Sequence, residues 1–341
     1  MNYAAYPPMV VEDIARLRRR IEASGLPPKI ADQNLLVASW NIRAFGEIFR
    51  AWGENSNSPK RNLRALAIIA EVLHNLDVIA IQEIKPDTSG LRMLVEDFLG
   101  PDWGLLISDV SAGTCGNFER LAFLYDKRRV QPSGLAGEIV LPPTPQGDPS
   151  RQFCRTPYLV GFQAGQERFA LLTAHINYGN IPADRLPELV SLAEYTAHEI
   201  HERSIGPDSE EHNLIVLGDM NIDRRGDNPL FQAFIGTGLN VPNQLLNLKT
   251  TYNTEAKYYD QIGWFMDEAF TLRYADRAGT VDFSGAVFKE LSNFLMSFRI
   301  SDHFPLWVEF LIDRSTEQMG RTLGLSEIQL GSPDPLGGVP D

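Results

Sequence analysis

The sequence predicts an α+β fold built from stacked layers, because short apolar runs typical of strands outnumber the segments with helical spacing. Several of these runs follow one another without a helix between them, which disfavours a doubly wound parallel sheet. With 341 residues and a hydrophobic fraction of 43%, the chain is long and apolar enough to bury a sizeable core.

The first predicted element is a helix over residues 11–25. Ile14, Leu17 and Ile21 are spaced so that they share one apolar face, and a glycine ends the segment. Two prolines then break the chain. We therefore interpret residues 1–33 as a helical extension of the main fold.

The main domain, residues 34–312, follows with strands and two helices. Helical spacing predicts helices over Leu63–Leu76 and Leu186–Ile200. The apolar runs that predict strands are Leu35–Trp40, Val78–Ile81, Leu121–Tyr125, Tyr158–Phe162, Phe169–Thr173, Leu214–Leu217, Gln261–Phe265 and Leu306–Phe310. The polar segment 313–341, rich in Gly and Pro, predicts a loosely held tail, with a docking segment as the alternative.

The charge balance limits the classes of function. Lys and Arg number 31 and Asp and Glu number 44, so the net charge is −13. This charge excludes proteins that coat nucleic acid or anionic membranes through bulk attraction. It leaves room for an enzyme that acts on nucleic acid, because a bound divalent cation can reverse the local field that a phosphate meets.

Cysteine content and the first residues bear on location. Cys115 and Cys154 make neither a disulfide framework nor a zinc site, and a single bridge between them is possible but has no support in the sequence. The chain lacks the basic start of a secretion signal, since Glu12 and Asp13 come early, and no apolar run is long enough to span a bilayer. We expect a cytoplasmic protein with no membrane segment, and no protein partner is evident.

Polar side chains that can bind a metal or move a proton lie next to five of the predicted strands. One such residue alone would be a solvated loop charge, but five sets converge in space when the strands lie side by side. The sequence therefore predicts a single site at one edge of the sheets. Its members are Asn41, Glu83, His175 with Asn177, Asp219 with Asn221, and Asp302 with His303.

These residue types form a chemically consistent set. Carboxylate and amide oxygens suit Mg²⁺ or Mn²⁺ rather than zinc, and the two histidines can transfer protons near neutral pH. Asp219 and Asn221 are two residues apart, so in extended backbone their side chains point the same way. A hard cation beside two histidines indicates hydrolysis of a phosphate ester.

Four short runs resemble, in order, the motifs of the endonuclease/exonuclease/phosphatase superfamily: 39–43 (SWNIR), 81–83 (IQE), 218–221 (GDMN) and 301–305 (SDHFP). Its deoxyribonuclease I branch is the most similar, since 43–46 (RAFG), 119–125 (ERLAFLY), 155–157 (RTP) and 259–262 (YDQI) resemble that branch's own segments. The resemblance extends from about Leu35 to Leu311. It implies a four-layer α/β/β/α sandwich, with two packed mixed β-sheets flanked by helices.

The resemblance also implies how the metal would be held. Glu83, with Asn41 and Asp302 close by, would hold the principal Mg²⁺. Asp219 and Asn221 would orient the attacking water or bind a second ion.

Two histidine–carboxylate pairs would flank the scissile phosphate. His303 would be polarised by Asp260, as general base or electrostatic stabiliser, and His175 by Glu119, as donor to the phosphate or leaving group. Such a carboxylate fixes the tautomer of its histidine and stabilises the imidazolium.

Four residues complete the set as substrate contacts. Arg155 and Thr251 would contact the phosphate backbone, with Asn177 and Arg43 beside them. Asn117 departs from the pattern, because the deoxyribonuclease I branch carries a tyrosine there.

The activity that the resemblance implies is a Mg²⁺-dependent endonuclease that cleaves DNA by water attack. The alternative is a phosphatase or phosphodiesterase acting on a small-molecule or lipid phosphate ester, although the Trp-Cys-Asp-Arg signature of inositol phosphatases is replaced by 259–261 (YDQ). A binding protein with a decayed site is disfavoured, since every motif residue is present. The stretch 47–61 is either a substrate loop or a surface insertion.

Overall fold

Two six-stranded β-sheets pack face to face, with helices covering their outer faces. The structure is a computed structural model that describes residues 2–144, 146–201, 213–253, 255–266 and 270–324. This architecture confirms the predicted α+β sandwich of four layers.

Each sheet is mixed, with one parallel strand pair at its centre and antiparallel neighbours: Asn34–Phe45 with Val78–Ile84 in the first sheet, and Glu167–His175 with Leu214–Asp219 in the second. In spatial order the first sheet consists of β11 (Arg273–Thr280), β12 (Leu306–Leu311), β1 (Asn34–Phe45), β2 (Val78–Ile84), β4 (Arg120–Asp126) and β3 (Trp103–Ile107). The second consists of β5 (Gln131–Glu138), β6 (Tyr158–Ala164), β7 (Glu167–His175), β8 (Leu214–Asp219), β10 (Asp260–Phe265) and β9 (Leu239–Asn240).

The side chains of β1 show how the sequence builds the layers. Leu35 and Val37 belong to the core between the two sheets, whereas Leu36, Ala38 and Trp40 belong to the core between the first sheet and its helices. This alternation follows from the two-residue period of a strand. Both faces of the strand are apolar because both are buried.

Helices flank each sheet, as predicted. The α-helices are α1 (Pro8–Ala23), α2 (Leu63–Leu73), α3 (Ser89–Met93), α4 (Gly113–Gly116), α5 (Leu186–Tyr195), α6 (Pro229–Ile235), α7 (Asn293–Ser297) and α8 (Ser315–Leu323). α1 and α2 cover the first sheet, and apolar residues of α5 and α6 join the core of the second. Two helices run on into π-helical segments, α3 into Leu94–Leu99 and α5 into Thr196–His201.

The predicted N-terminal extension and the predicted C-terminal tail each contain an α-helix. The apolar face of α1 is buried against α2 and the first sheet. In the predicted tail, α8 forms a helix, and residues 325–341 lie outside the described part. Within the described ranges, no helix has the length and apolar character needed to cross a membrane.

A disulfide bridge joins Cys115 and Cys154, whose Cα atoms are 5.1 Å apart. The sequence alone gave no support for this bridge. It ties the turn of α4 to the segment that carries Arg155, beside the candidate site. Disulfides persist mainly in oxidising compartments. The bridge therefore does not support the cytoplasmic location that the sequence predicts, and that location stays a prediction.

Candidate active site

The predicted site residues meet at one edge of the paired sheets. The carboxyl ends of the parallel pairs β1–β2 and β7–β8 supply Asn41, Glu83, His175 and Asp219. A side-chain hydrogen bond joins the two sheets at this edge, because Asn41 Nδ2 donates to Asp219 Oδ2 over 2.9 Å. The structure therefore brings residues from both sheets into one cluster.

Asp219 lies at the centre of the cluster, with a histidine on each side. Its Oδ2 atom is 3.6 Å from His175 Nε2 and 3.8 Å from His303 Nε2. Burial would raise the pKa of Asp219, but the positive charges of His303 and His175 lower it below the usual range. The two imidazoles therefore face one ionised carboxylate.

His303 is held from behind by Asp260. Nδ1 of His303 lies 2.8 Å from Oδ2 of Asp260, and both side chains are buried. Burial alone would lower the pKa of His303, but the negative charges of Asp260 and Asp219 raise it well above the usual value. The two carboxylates therefore favour the protonated form of the ring.

His175 forms the second pair, with Glu119. Its Nδ1 lies 3.1 Å from Glu119 Oε2. The carboxylate also accepts hydrogen bonds from Lys85 Nζ over 2.9 Å, from Arg155 Nε over 2.6 Å and from Asn117 Nδ2. Burial opposes its ionisation, but His175, Arg155 and Lys85 bring the pKa of Glu119 far below its ordinary value. Glu119 is thus a fixed negative charge behind His175.

Glu83 and Asn41 form the oxygen-rich side of the site. Glu83 accepts from Asn41 Nδ2 and from the backbone N–H of Ala44, both over 2.9 Å. Glu83 and Ala44 have φ values of +63° and +44°, and the pairing register shifts on both sides of β2 at this point. Such bulges re-aim side chains near active sites. Here they turn the Glu83 carboxylate toward Asn41.

The oxygen atoms on this side of the site fit a hard divalent cation as ligands. Asn41 Oδ1 is buried and has no hydrogen-bond partner among the described residues, which is what a missing ligand would leave. Asp302, with 31% of its side chain exposed, lies 3.5 Å from Arg43 Nη1. Carboxylate and amide oxygens with room for water are the environment that Mg²⁺ prefers. Asp219, Asp260 and His303 form a second group that could hold an ion, since their ligand atoms lie within 4.8 Å of one another.

Asn221 differs from its predicted geometry. β8 ends at Asp219, and Asn221 has a φ of +50°, so the backbone turns instead of staying extended. Asn221 Nδ2 donates to the Ile176 carbonyl over 2.7 Å, and its N–H donates to Asp219 Oδ1 over 2.9 Å. The expectation that both side chains point the same way from extended backbone was wrong, and Asn221 instead fixes Asp219.

The four residues predicted to contact the substrate differ in the partners that hold them. Arg155 pairs with Glu119, and its buried Nη1 lacks a partner within the described ranges. Arg43 donates to Ser297 Oγ over 2.8 Å and lies 4.0 Å over the Phe298 ring. The Thr251 backbone pairs with that of His303, and its Oγ1 is buried without a partner in the described part. Asn177 donates its backbone N–H to Glu188.

Sequence reasoning missed one buried arginine, Arg61. It donates to the carbonyls of Arg43 and Ala44 over 2.7 and 3.2 Å, and to those of Arg299 and Ile300 over 2.8 and 3.0 Å. Burial lowers its pKa to about 10. A single arginine in a loop without a motif gives no sequence signal. Lys85, which donates to Glu119, follows the predicted ligand Glu83 by two residues, and this closeness in sequence could have identified it as a site residue.

Comparison with known proteins gives a consistent result. The profile of the endonuclease/exonuclease/phosphatase family matches residues 38–303 of this chain. A protein of Thioalkalivibrio sp. (strain K90mix) named deoxyribonuclease is 28% identical over 297 residues, which cover 84% of this chain and 73% of that protein.

Solved structures show the same fold. The mannosyl-6-phosphatase of Bacteroides thetaiotaomicron has a TM-score of 0.53 at 20% identity, covering 81% of this chain and 99% of its own. Humanized D. rerio TDP2 also has a TM-score of 0.53, at 15% identity, covering 81% of this chain and 98% of its own. At these identities the likeness concerns the fold alone.

Proposed function

This chain belongs to the endonuclease/exonuclease/phosphatase family, and from that premise we propose that it is a metal-dependent phosphodiester hydrolase that cleaves DNA as an endonuclease. The observation that carries the proposal is the pair of histidines on either side of Asp219, each backed by a carboxylate. Asp219 can act as the acceptor for an attacking water, and the two histidines can act as donors to the phosphoryl and leaving oxygens of a phosphodiester.

The histidines and carboxylates would divide the work by charge. Asp219 lies between the two rings. In its ionised form it accepts a hydrogen bond from the attacking water and so orients it. The His303 imidazolium, whose proton Asp260 stabilises, offers positive charge and a hydrogen bond to the phosphoryl oxygens. His175, fixed by Glu119, hydrogen-bonds the phosphate or the leaving oxygen.

The remaining residues would bind the metal and the strand. Glu83, Asn41 and Asp302 are the residues that would hold Mg²⁺ or Mn²⁺, which when bound neutralises phosphate charge and polarises the phosphoryl group. Asn221 keeps Asp219 in place. Arg155, Arg43, Thr251 and Asn177 are proposed to contact the nucleic-acid backbone around the cleaved bond.

DNA is favoured as substrate by the relative that carries the name deoxyribonuclease. The competing proposal is hydrolysis of a small phosphate ester. It is supported by the fold shared with a mannosyl-6-phosphatase.

Nicking of supercoiled plasmid in Mg²⁺ or Mn²⁺ tests the proposal. We expect His175→Ala and Glu83→Ala each to lower the nicking rate by about 100-fold or more, since each removes a group that acts in the transition state. Arg19→Ala, at an exposed position of α1, is the matched control and should leave the rate unchanged.

The outcomes separate the two proposals. Site-dependent hydrolysis of bis-p-nitrophenyl phosphate without any nicking would reject DNA as substrate and support the small-ester alternative. Nicking that survives in both variants would show that this cluster is not the active site.

A further inference from the structure

A cavity of about 590 Å³ opens next to the chain segment that leads into Asp260, since Glu255, Ala256 and Tyr258 are among its lining residues. Phe231 of α6, Leu246 and Tyr258 give it apolar walls, while Arg224 and Asn247 stand exposed among its lining residues. None of these residues has a part in the chemistry proposed above.

One half-buried arginine connects this cavity to the catalytic pair. Arg225, which lines the cavity, donates Nη2 to the backbone carbonyl of Asp260 over 3.1 Å and Nε to Gln261 Oε1 over 2.9 Å. Asp260 in turn holds His303. Arg225 therefore links the cavity to the backbone of the residue that holds His303.

Tyr258 is fixed in this wall. It precedes Asp260 by two residues, which corresponds to about 7 Å of extended chain. The Arg225 guanidinium lies 5.2 Å over its ring, and Arg225 is itself anchored by the carbonyls of Leu245 and Leu248. A ring held in this way loses little freedom when a second flat group packs on it.

The lining groups match the chemistry of a heterocyclic base. Aromatic rings bind unstacked bases by stacking, whatever the sequence. Amide and guanidinium groups recognise base edges through paired hydrogen bonds, and Asn247 and Arg224 offer one of each. Arg224 is only weakly engaged, since it lies 3.4 Å from the exposed carboxylate of Glu255. A cavity of several hundred cubic ångströms is ample for a base.

We propose that this cavity is a nucleobase subsite, which takes an unstacked base of the substrate strand close to the cleaved phosphate and stacks it on Tyr258. The inference rests on the proposed nuclease function and extends it to the recognition of the strand. It assigns Tyr258 a role in binding substrate and none in bond cleavage.

The test compares oligonucleotides with a substrate that has no base. The probes are a DNA oligonucleotide, the same oligonucleotide with an abasic tetrahydrofuran at each position near the cleaved bond in turn, and bis-p-nitrophenyl phosphate. We expect Tyr258→Ala to lower kcat/KM for the intact oligonucleotide by about 10-fold. Hydrolysis of bis-p-nitrophenyl phosphate should stay within about twofold, since that substrate has no base to stack.

The matched variant and the abasic scan make the test specific. Tyr258→Phe keeps the ring and should behave like the wild type. In the wild type, one abasic position should cost about 10-fold, and in Tyr258→Ala the same position should cost nothing further, because the stacking partner is already gone.

Two failures are distinguishable. A wild-type enzyme that cleaves no oligonucleotide refutes the proposed function and the inference with it. Cleavage that is indifferent to every abasic position, or an equal loss of both activities in Tyr258→Ala, refutes the nucleobase subsite alone and leaves Tyr258 as a support for Asp260.

Discussion

Among single residues, Arg61 supports the geometry of the site although it is neither a proposed catalytic residue nor a proposed metal ligand. Two of its acceptors, Arg43 and Ala44, follow Asn41 in β1, and the other two, Arg299 and Ile300, precede Asp302. One planar guanidinium thus fixes the distance between two chain segments that carry proposed metal ligands. Its charge also faces the carboxylates of Glu83 and Asp302, which partly offset the cost of its burial.

Arg61→Lys should weaken metal binding while the protein stays folded. Lysine keeps the charge but lacks the rigid fork that serves four carbonyls. Outer partners of this kind typically change metal affinity by about 10- to 100-fold. We expect the Mg²⁺ concentration for half-maximal activity to rise about 10-fold, measured by titrating Mg²⁺ at saturating substrate.

The control for this variant is Arg92→Lys, at an exposed position of α3. It should leave the Mg²⁺ titration unchanged. A titration for Arg61→Lys that overlays the wild type would show that Arg61 is only a packing residue.

Among elements, the strands that the sequence predicts are the eight inner ones, and the four that it misses are the sheet edges β3, β5, β9 and β11. Inner strands are buried on both faces and produce continuous apolar runs. Edge strands are half-exposed and tolerate the residues that inner strands exclude. β5 illustrates this, since its eight residues include Pro132, Gly134 and Gly137 and only alternate positions are partly covered.

From the sequence, the stretch 47–61 is either a substrate loop or a surface insertion. Its Trp52 packs against Tyr6, with ring centroids 5.2 Å apart, and against Phe98 at 6.3 Å. The backbone of Phe49 pairs with Asn62, which caps α2. These contacts hold the stretch against the N-terminal extension, the segment after α3 and the start of α2, which favours a structural insertion that also delivers Arg61 to the site.

The helix α1 is an integral part of the first sheet's cover. Its Leu17 is fully buried, and its Asp13, also fully buried, lies 2.6 Å from Arg64 Nη2 of α2. We expect Leu17→Ala to lower the free energy of unfolding by about 3 kcal/mol, through the lost apolar contact and the cavity left behind. Urea denaturation measures this change.

Activity distinguishes this effect from one on the site. The kcat of Leu17→Ala should equal that of the wild type under conditions where the protein is folded, since α1 does not reach the catalytic edge. Arg19→Ala, on the exposed face of the same helix, should change stability by less than about 0.5 kcal/mol. An equally small loss for Leu17→Ala would mean that α1 detaches at little cost.

On the scale of the whole molecule, the site could be predicted because its residues follow apolar strands directly. Asn41, Glu83, His175 and Asp219 all end up at one edge since the strands before them lie side by side. Some of the residues that hold them could not be predicted. Asn117 reaches Glu119, and Arg61 reaches the carbonyls of Arg43 and Ile300, through loop paths that no local pattern encodes.

The opposite end of the sandwich is held by a buried ionic network. Asp126 is fully buried and accepts from Lys29 Nζ over 2.6 Å and from Arg128 Nε and Nη2 over 2.8 Å. Asp77 pairs there with Arg129 over 2.6 Å. Burial opposes ionisation of Asp126, but the hydrogen bonds and charges of Arg128 and Lys29 bring its pKa well below the usual range.

This pKa fixes the sign of a pH effect on stability. A carboxyl whose pKa is lower in the folded state stabilises the protein above its unfolded pKa, about 4, and loses that contribution as the pH falls toward the folded value. Asp126→Asn should therefore lower the free energy of unfolding by about 2 kcal/mol at neutral pH. The difference from the wild type should shrink steadily below about pH 4, which urea denaturation at pH 7 and near pH 3.5 would measure. Asp102→Asn, whose exposed carboxylate lies 3.5 Å from Arg128, should cost less than about 0.5 kcal/mol at either pH. A difference for Asp126→Asn that is the same at both pH values would mean that packing, rather than charge, accounts for the loss.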